Sequence, residues 1–129
     1  MTLILASQSA GRIAILAAAA VKAEAQAPLV DEASIKETLS ADGAKPRDIA
    51  DALAEAKARK VSRKFPGRLV LGCDQILLTG DGVILDKPES PAMAETHLAM
   101  LSGKTHRLSA PQLFVKMVNL SGTSLILRR

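Results

Sequence analysis

Aromatic residues and cysteine are scarce in this chain of 129 residues. It has no tryptophan and no tyrosine, and its two phenylalanines are Phe65 and Phe114. Because 48% of the residues are nevertheless hydrophobic, the core must be built from aliphatic side chains and alanine. The single cysteine, Cys73, excludes an internal disulfide and is typical of a reducing cytoplasm. We interpret Cys73 as a small buried hydrophobic residue rather than a nucleophile.

Long hydrophobic runs are also absent. The longest run of apolar residues, 13–21, is too short to cross a bilayer, and the N-terminus lacks the basic start of a secretory signal. We therefore expect a cytoplasmic protein with no membrane partner. The length indicates one domain that can bury a sizeable core.

Acidic residues are missing from residues 111–129, which contain Lys116, Arg128 and Arg129 and so hold most of the net charge of +4. The rest of the chain is nearly neutral and has neither a basic stripe nor stacking aromatics. We therefore expect no nucleic-acid partner, although the basic tail leaves that reading as a minor alternative. His97 and His106 lack the spacing of zinc ligands, and no Walker-type glycine loop is present.

The most strand-like stretch spans residues 68–78. Residues 69–71 and 76–78 are apolar and turn signals flank the run, which predicts a strand buried on both faces. Asp74 interrupts it, and a buried carboxylate is costly unless it is paired, hydrogen-bonded or metal-bound. Asp74 is thus either evidence against one continuous strand or the centre of a site. Gly72 would let another backbone or a ligand come close.

A second informative stretch is the turn after the apolar residues 3–5. Ser7 and Ser9 are both suitable N-caps for a helix over residues 10–20, and a strand that turns into a helix start makes a natural anion site. Arg12 in the first turn has the wrong sign for the helix dipole, which a bound phosphate would explain. The alternative is an ordinary capped helix with a solvated arginine.

Further elements follow from the same rules. We predict a weak strand at 28–30, helices at 32–39, 47–63 and 91–101, a hairpin turn at 79–82 with its partner strand at 83–85, and strands at 105–110 and within 111–129.

Two lysines are brought towards Asp74 by these elements. Ile49, Leu53 and Ala56 form an apolar helical stripe, and Lys57 lies at its edge, where it either reaches solvent or enters a site. The hairpin returns Lys87 to the level of Asp74 and Gln75. Basic groups suit a polyphosphate. The carboxylates of Glu32 and Asp74 suit a divalent metal, or one metal ligand and one general base.

Six blocks of the sequence, in order over residues 3–110, resemble the Maf family of nucleoside triphosphate pyrophosphatases. They are Leu3-Ile4-Leu5-Ala6-Ser7-Gln8-Ser9-Ala10-Gly11-Arg12, Val30-Asp31-Glu32, Leu53-Ala54-Glu55-Ala56-Lys57-Ala58, Leu71-Gly72-Cys73-Asp74-Gln75, Asp86-Lys87-Pro88 and Leu101-Ser102-Gly103-Lys104-Thr105-His106. The resemblance implies an α/β fold of the Maf/ITPase type, with a mixed, elongated sheet flanked by helices and two lobes around a central cleft. It also implies hydrolysis of a nucleoside triphosphate to the monophosphate and pyrophosphate with Mg²⁺ or Mn²⁺.

The resemblance also implies roles for individual residues. Asp74 matches the family's general base, and Glu32 and Asp74 match the acids at the metal. Gln75 and Arg12 match the positions tied to base choice, and glutamine there resembles the branch that takes 7-methylguanosine triphosphate. The matches to phosphate-binding positions are Ser7, Ser9, Arg12, Lys57 and Lys87.

Two departures from the family pattern affect these expectations. Ser9-Ala10-Gly11-Arg12 stands where the family typically has Ser-Pro-Arg-Arg, so one cation is lost. The resemblance ends near Ser109-Ala110, which divides the chain into a core at 1–110 and an atypical tail at 111–129 and predicts a fold that is incomplete at its C-terminus. An inactive remnant or a non-catalytic nucleotide-binding domain is therefore the alternative. For partners we expect a nucleoside triphosphate and keep a homodimer open.

Overall fold

The computed structural model describes residues 2–85, 87–109, 114–118 and 124–127, apart from the side chains of some strand residues. In chain order its elements are β1 (Leu3–Ala6), α1 (Ala10–Ala18), β2 (Ala23–Ala25), α2 (Glu32–Ala41), α3 (Pro46–Ser62), β3 (Leu69–Gly72), β4 (Ile76–Thr79), β5 (Ile84–Leu85), α4 (Pro91–Leu101), β6 (His106–Ser109), β7 (Phe114–Val118) and β8 (Ser124–Leu127). The expected α/β class is confirmed.

The larger sheet has five strands in the order β2-β1-β3-β7-β8. β2, β1 and β3 run parallel, and β7 and β8 are antiparallel to their neighbours. The chain leaves β1 through α1 towards β2 and then returns through α2 and α3 to β3, on the other side of β1. The connections therefore diverge between β1 and β3. In open α/β sheets, ligands bind outside the carboxyl ends of the strands at such a divergence.

The smaller sheet has three antiparallel strands in the order β5-β4-β6. The predicted hairpin turn between β4 and β5 is confirmed. The backbone N–H of Thr79 donates to the Val83 carbonyl at 2.9 Å, and the backbone N–H of Val83 donates to the Thr79 hydroxyl at 3.0 Å. Gly82 takes a φ of 86°, which a residue with a side chain rarely adopts.

The expected single strand over residues 68–78 is wrong. β3 belongs to the larger sheet and β4 to the smaller one, and residues 73–75 connect them. Periodicity could not show this because both halves of the run are apolar. The carboxylate of Asp74 therefore lies just beyond the end of β3 rather than in the middle of a strand.

The weak strand predicted at 28–30 is also wrong. The strand in this region is β2, which pairs in parallel with β1 although its Ala-Glu-Ala sequence has little strand propensity. Pro28 has no N–H to give to a ladder, and the N–H of Val30 donates to the Pro28 carbonyl at 2.7 Å. Pairing with a buried neighbour has overridden the local preference.

Helix α3 packs on the larger sheet and supplies much of the core. Its Ala58 and Val61 lie against Ile4 and Val70 of β1 and β3. The predicted apolar stripe holds at Ile49 and Leu53, but Ala56 is only half-buried. Lys57 takes the next place on the buried face, four residues after Leu53, and is 7% exposed. It therefore lies within the buried face rather than at its edge, because its ammonium group forms ion pairs with Glu32 and Asp74.

The strands predicted within residues 111–129 are confirmed as β7 and β8. β7 pairs antiparallel with β3, so the backbone after residue 110 contributes to the same sheet as the strand that leads to Asp74. Across the described parts of the chain, no helix has both the length and the hydropathy that spanning a bilayer would require.

Candidate active site

A cleft of about 590 Å³ opens at the carboxyl ends of β1 and β3. Residues that follow these strands line one side of it, and residues of the smaller sheet and α4 line the other. Its volume falls in the range of ordinary small-molecule sites. Its position is the one that the divergence of the chain between β1 and β3 predicts.

The centre of the charged side is an ion-pair network of three residues. The Lys57 Nζ donates to Asp74 Oδ1 at 3.1 Å and lies 2.6 Å from Glu32 Oε1. Lys57 and Asp74 are buried, at 7% and 8% exposure, whereas the Glu32 side chain is 43% exposed. One lysine thus holds two carboxylates together, one at the base of the cleft and one near its mouth.

The second oxygen of Asp74 is the least satisfied polar atom of this network. Oδ2 is buried and has no hydrogen-bond partner among the described residues. A buried acceptor left in this state costs about 1–3 kcal/mol. Oδ2 is therefore an acceptor that is available to a ligand in the cleft.

Gly72 explains how Lys57 comes within reach of Asp74. A Cβ atom at residue 72 would lie 2.1 Å from the backbone oxygen of Ala54 and 2.9 Å from Cβ of Ala58. The helix α3 therefore crosses the end of β3 at a distance that only glycine permits. Lys57 lies between Ala54 and Ala58, so this close approach places its ammonium group beside Asp74. The sequence argument that Gly72 admits another backbone is confirmed.

The turn from β1 into α1 forms the second charged part of the cleft. Ser9 is the N-cap of α1, and its hydroxyl accepts from the Arg12 backbone N–H at 3.3 Å. The Ser7 hydroxyl accepts from the Ser9 backbone N–H at 3.1 Å and from Arg12 Nη1 at 3.2 Å. The arginine side chain is thereby folded over the positive end of its own helix. With no acidic residue in the first turn, this corner favours an anion.

The structure brings the residues singled out in the sequence to one place. The cleft is lined by Ser9, Arg12, Glu32, Lys57, Asp74, Gln75 and Lys87. Ser7 lies beneath this surface, 4% exposed, and contacts the site through Arg12. The hairpin delivers Lys87 to the level of Asp74 and Gln75, as expected. The chemical roles of these residues stay predictions.

Sequence reasoning missed other lining residues. Lys36 follows Glu32 by one helical turn, so an i, i+4 search from Glu32 would have found it. The apolar lining and His97 gave no signal, because a helix face that lines a cleft has the same periodicity as one that packs in a core. Those residues are Leu77, Leu85, Pro88, Ala94, His97, Leu98, Leu101 and Leu108.

The donor set of the cleft fits a divalent cation that arrives with its ligand. Among the described residues, no group of three or more His, Cys, Asp or Glu side chains could hold a metal ion by itself. Glu32 and Asp74 offer two carboxylates, and Asp74 Oδ2 has no other described partner. Mg²⁺ is commonly bound by one or two carboxylates, with phosphate oxygens and waters completing the shell. The arrangement suits that mode and not a cage made of protein alone.

Cys73 lies between Gly72 and Asp74 but belongs to the core, with Leu5 and Leu71, at 2% exposure. Burial raises the pKa of its thiol above the ordinary value of 9.0, Arg12 and Lys57 oppose this, and Asp74 adds to it. The thiol therefore stays protonated at neutral pH, where a nucleophile would need a thiolate.

This raised pKa predicts a pH dependence of stability. The folded state keeps the proton of Cys73 at a pH where the unfolded state loses it, so its contribution is complete below 9.0 and is lost as pH rises through the folded value. The free energy of unfolding of wild type should fall, relative to Cys73→Ala, by up to about 1.4 kcal/mol per pH unit in that window. Urea unfolding between pH 7 and 11 with a chelator present measures the difference. Parallel curves for the two proteins would contradict the assignment.

Fold and site together define an α/β protein with a cation-rich cleft where the chain diverges between two parallel strands, β1 and β3, of a mixed sheet. The comparison with known families agrees: the model of the family described as Maf-like protein matches residues 2–122. The chain therefore belongs to the Maf family. The match extends past residue 110, where we expected the resemblance to end.

Curated relatives add names and lengths. The chain is 52% identical over 108 residues to a nucleoside triphosphate pyrophosphatase of Sphingopyxis alaskensis, covering 84% of this chain and 54% of the relative. It is 55% identical over 106 residues to a protein of the same name from Ruegeria pomeroyi, covering 82% and 53%. It is 46% identical over 114 residues to a 7-methyl-GTP pyrophosphatase of Mesorhizobium japonicum, covering 88% and 57%. The chain thus spans about half the length of these relatives.

Proposed function

We propose that this protein hydrolyses a nucleoside triphosphate to the nucleoside monophosphate and pyrophosphate. The observation that carries the proposal is the buried Asp74, whose Oδ1 is held by Lys57 and whose Oδ2 has no described partner, in a cleft that is otherwise rich in cations. The names of the relatives support the same reaction. Since the chain spans only about half the length of each relative, the names of the relatives do not by themselves establish the activity of this chain.

Asp74 acts as the general base in this proposal. A water oxygen attacks the α-phosphorus, the bond from that phosphorus to the bridging oxygen breaks, and pyrophosphate leaves with the bond electrons. Oδ2 accepts the proton that the water loses. Lys57 fixes the carboxylate through Oδ1, so the atom that takes the proton is held in a constant position.

The cations bind and orient the triphosphate. Phosphoryl transfer requires little covalent help from a protein, and positioning with charge neutralisation provides most of the acceleration. Arg12 at the start of α1, Lys57 at the base and Lys87, two residues after β5, can surround a chain of phosphates. Ser9 offers its hydroxyl at the same helix start, and Ser7 holds Arg12 in place.

Glu32 and Asp74 would hold a Mg²⁺ or Mn²⁺ ion that enters with the triphosphate. The ion supplies charge neutralisation at the phosphates when it is bound. The position of Glu32 at the first residue of α2 is fixed by Asp31, the N-cap, whose Oδ1 accepts from the Ser34 backbone N–H at 3.1 Å. The carboxylate of Glu32 is thus held close to Lys57 while it stays accessible from the mouth.

Gln75 and Arg12 are proposed to influence which base is accepted. Gln75 is exposed in the cleft directly after the proposed base, and the resemblance favours 7-methylguanosine triphosphate as a substrate. One of the relatives carries a name of that kind and two others carry the general one. The preferred base, a homodimer and a cytoplasmic location stay predictions.

A panel assay tests the proposed reaction. The purified chain is incubated with the common nucleoside triphosphates and 7-methylguanosine triphosphate, with Mg²⁺, with Mn²⁺ or with a chelator. We expect stoichiometric pyrophosphate and nucleoside monophosphate, no free phosphate, and activity only with a metal. Release of phosphate instead of pyrophosphate would contradict the proposed bond cleavage. A cooperatively folded chain that binds nucleotides without turnover would establish the non-catalytic alternative.

A further inference from the structure

The side of the cleft opposite the ion-pair network is apolar, and it is built in a regular way. In the smaller sheet, Leu77 of β4 pairs directly with Leu85 of β5 and with Leu108 of β6. Directly paired residues point to the same face of a sheet, and all three leucines line the cleft. We call this row of three side chains the leucine shelf. With strands about 4.8 Å apart, it extends about 10 Å across the sheet.

Helix α4 presents one face to the same space. Ala94, His97, Leu98 and Leu101 follow the i, i+3, i+4, i+7 spacing of a single helix face, and all four line the cleft. No residue of α4 is buried. The helix therefore does not use its apolar face to form core.

The exposure of these leucines points to a ligand. Leu98 is 66% exposed and Leu108 is 57% exposed, although both face a concave surface. An apolar stripe normally gains its stability by burial, and a contiguous apolar surface left open usually marks a binding site. The shelf and the α4 face border the same cleft, and together they offer an apolar surface to a ring system.

The two sides of the cleft together specify the kind of ligand. Arg12, Lys57 and Lys87 suit a polyanion, and the leucine shelf begins only two residues after Gln75. A ligand that satisfies both sides has a charged end and a flat, weakly polar end. A nucleotide has this form, with the phosphates as the charged end and the base as the flat end.

We infer that the leucine shelf and the α4 face hold the nucleobase, and that His97 is a specificity-determining residue for it. This inference rests on the proposed function for the identity of the substrate. Among the described residues of the leucine shelf and the α4 face, His97 is the one with a hydrogen-bonding side chain. A neutral imidazole has one donor and one acceptor, so it can read the polar edge of a base while the leucines contact its faces. A base that fails to match leaves this group unpaired, which is how a mostly apolar pocket discriminates between bases.

His97→Ala tests the discriminating role. We expect kcat/KM for the preferred nucleoside triphosphate to fall about 10-fold, as for one lost hydrogen bond, and the differences between bases to shrink. Inorganic tripolyphosphate, which has the phosphates without a base, should inhibit wild type and variant with the same inhibition constant. His106→Ala is the matched control, because His106 is exposed and lies outside the cleft lining. His106→Ala should change neither the kcat/KM values for the nucleotides nor the inhibition constant of tripolyphosphate.

Leu98→Ser tests the shelf separately from the histidine. The substitution should lower kcat/KM by a similar factor for every nucleoside triphosphate, and it should leave the inhibition constant of tripolyphosphate unchanged. Met100→Ser is its control on the same helix, since Met100 is 36% exposed and does not line the cleft. Both positions are accessible in the folded protein, so neither variant removes core packing.

A binding experiment separates this inference from the proposed reaction. The imidazole resonances of His97 and His106 are followed by NMR while nucleoside monophosphates or inorganic phosphate are added. We expect the His97 signals alone to shift, and to shift with nucleotide but not with phosphate. If the enzyme turns over but His97→Ala leaves base preference unchanged, the inference is overturned and the proposed function stands. If there is no turnover but nucleotides shift His97, the function fails and the base site stands. Equal shifts with phosphate, or none, overturn the base site.

Discussion

Asp74→Asn is expected to lower kcat for nucleoside triphosphate hydrolysis by about 10²–10⁴-fold, the usual contribution of a positioned general base. Asparagine keeps the size and shape of the side chain but cannot accept the proton that the attacking water loses. KM should change less than kcat, because removing a negative charge beside the polyphosphate opposes the effect of losing one of the two carboxylates that would hold the metal. Steady-state pyrophosphate release with the best nucleotide of the panel measures both parameters. Hydrolysis within a few-fold of wild type would contradict the assignment of Asp74 as the base.

Two further variants separate the base from a structural or metal-binding carboxylate. Asp81→Asn changes an exposed aspartate in the β4–β5 turn and should leave kcat unchanged. Glu32→Gln removes the more exposed carboxylate near Lys57, and its loss of rate should be partly restored by raised Mg²⁺. Asp74→Asn should not be rescued in this way. If both carboxylate variants respond equally to the metal, Asp74 acts only in metal binding, as Glu32 does, and another group takes the proton.

Folding of the Asp74→Asn protein can be expected on the observed contacts. Removal of one partner from a buried pair is destabilising when it leaves the other charge alone. Here the Lys57 Nζ still has Glu32 at 2.6 Å, so its charge keeps a partner. Thermal unfolding should therefore remain cooperative, with a modest change in midpoint. A loss of activity in a cooperatively folded variant can then be attributed to the missing carboxylate and not to unfolding.

The position of the site could be predicted from sequence because its residues violate local expectations. Asp74 is a carboxylate at the end of an apolar run, and Arg12 is a cation at a helix start that favours anions. Each misfit needs a partner or ligand, and in the structure both residues line one cleft. Consistency between levels of structure is the rule, and departures from it concentrate where a protein binds or reacts.

Other features depended on contacts between distant segments. The division of residues 68–78 between two sheets could not be predicted from the sequence. Both apolar segments have the pattern of a buried strand, and that pattern does not show which sheet a strand joins. The burial of Lys57 rather than Ala56 depends on Asp74 and Glu32, which lie far from it in the chain. The face of α4 that lines the cleft has the periodicity of a core face, and only the absence of any buried residue on that helix distinguishes the two. Periodicity indicates that a face is apolar, and the contacts decide whether protein or ligand covers it.

Gly72→Ala is expected to lower the free energy of unfolding by about 3 kcal/mol or more, at the upper end of what overpacking does. The added methyl group would lie 2.1 Å from the Ala54 backbone oxygen, and a backbone atom in the middle of α3 cannot move aside alone. The whole helix must shift away from β3. Because domains of this size are stable by only about 5–15 kcal/mol, urea unfolding followed by circular dichroism should show a large drop in midpoint.

Gly11→Ala is the matched control for that substitution. A Cβ atom at residue 11 would meet only the Ser9 hydroxyl oxygen, at 3.8 Å, and alanine is the better helix former by about 0.5–1 kcal/mol. Its midpoint should be unchanged or higher. If Gly72→Ala unfolds at the wild-type midpoint, α3 and β3 do not approach as closely as the structure has them.

The same variant links the packing of the fold to the chemistry of the site. Lys57 is carried by the part of α3 that passes over Gly72, so a shift of the helix moves its ammonium group away from Asp74. Below its unfolding midpoint, Gly72→Ala should therefore lose activity although its residues at the cleft are all present. An additional methyl on Gly72 touches no substrate in the proposed geometry. A loss of kcat in the folded variant would thus show that the close contact between α3 and β3 keeps Lys57 beside the proposed base.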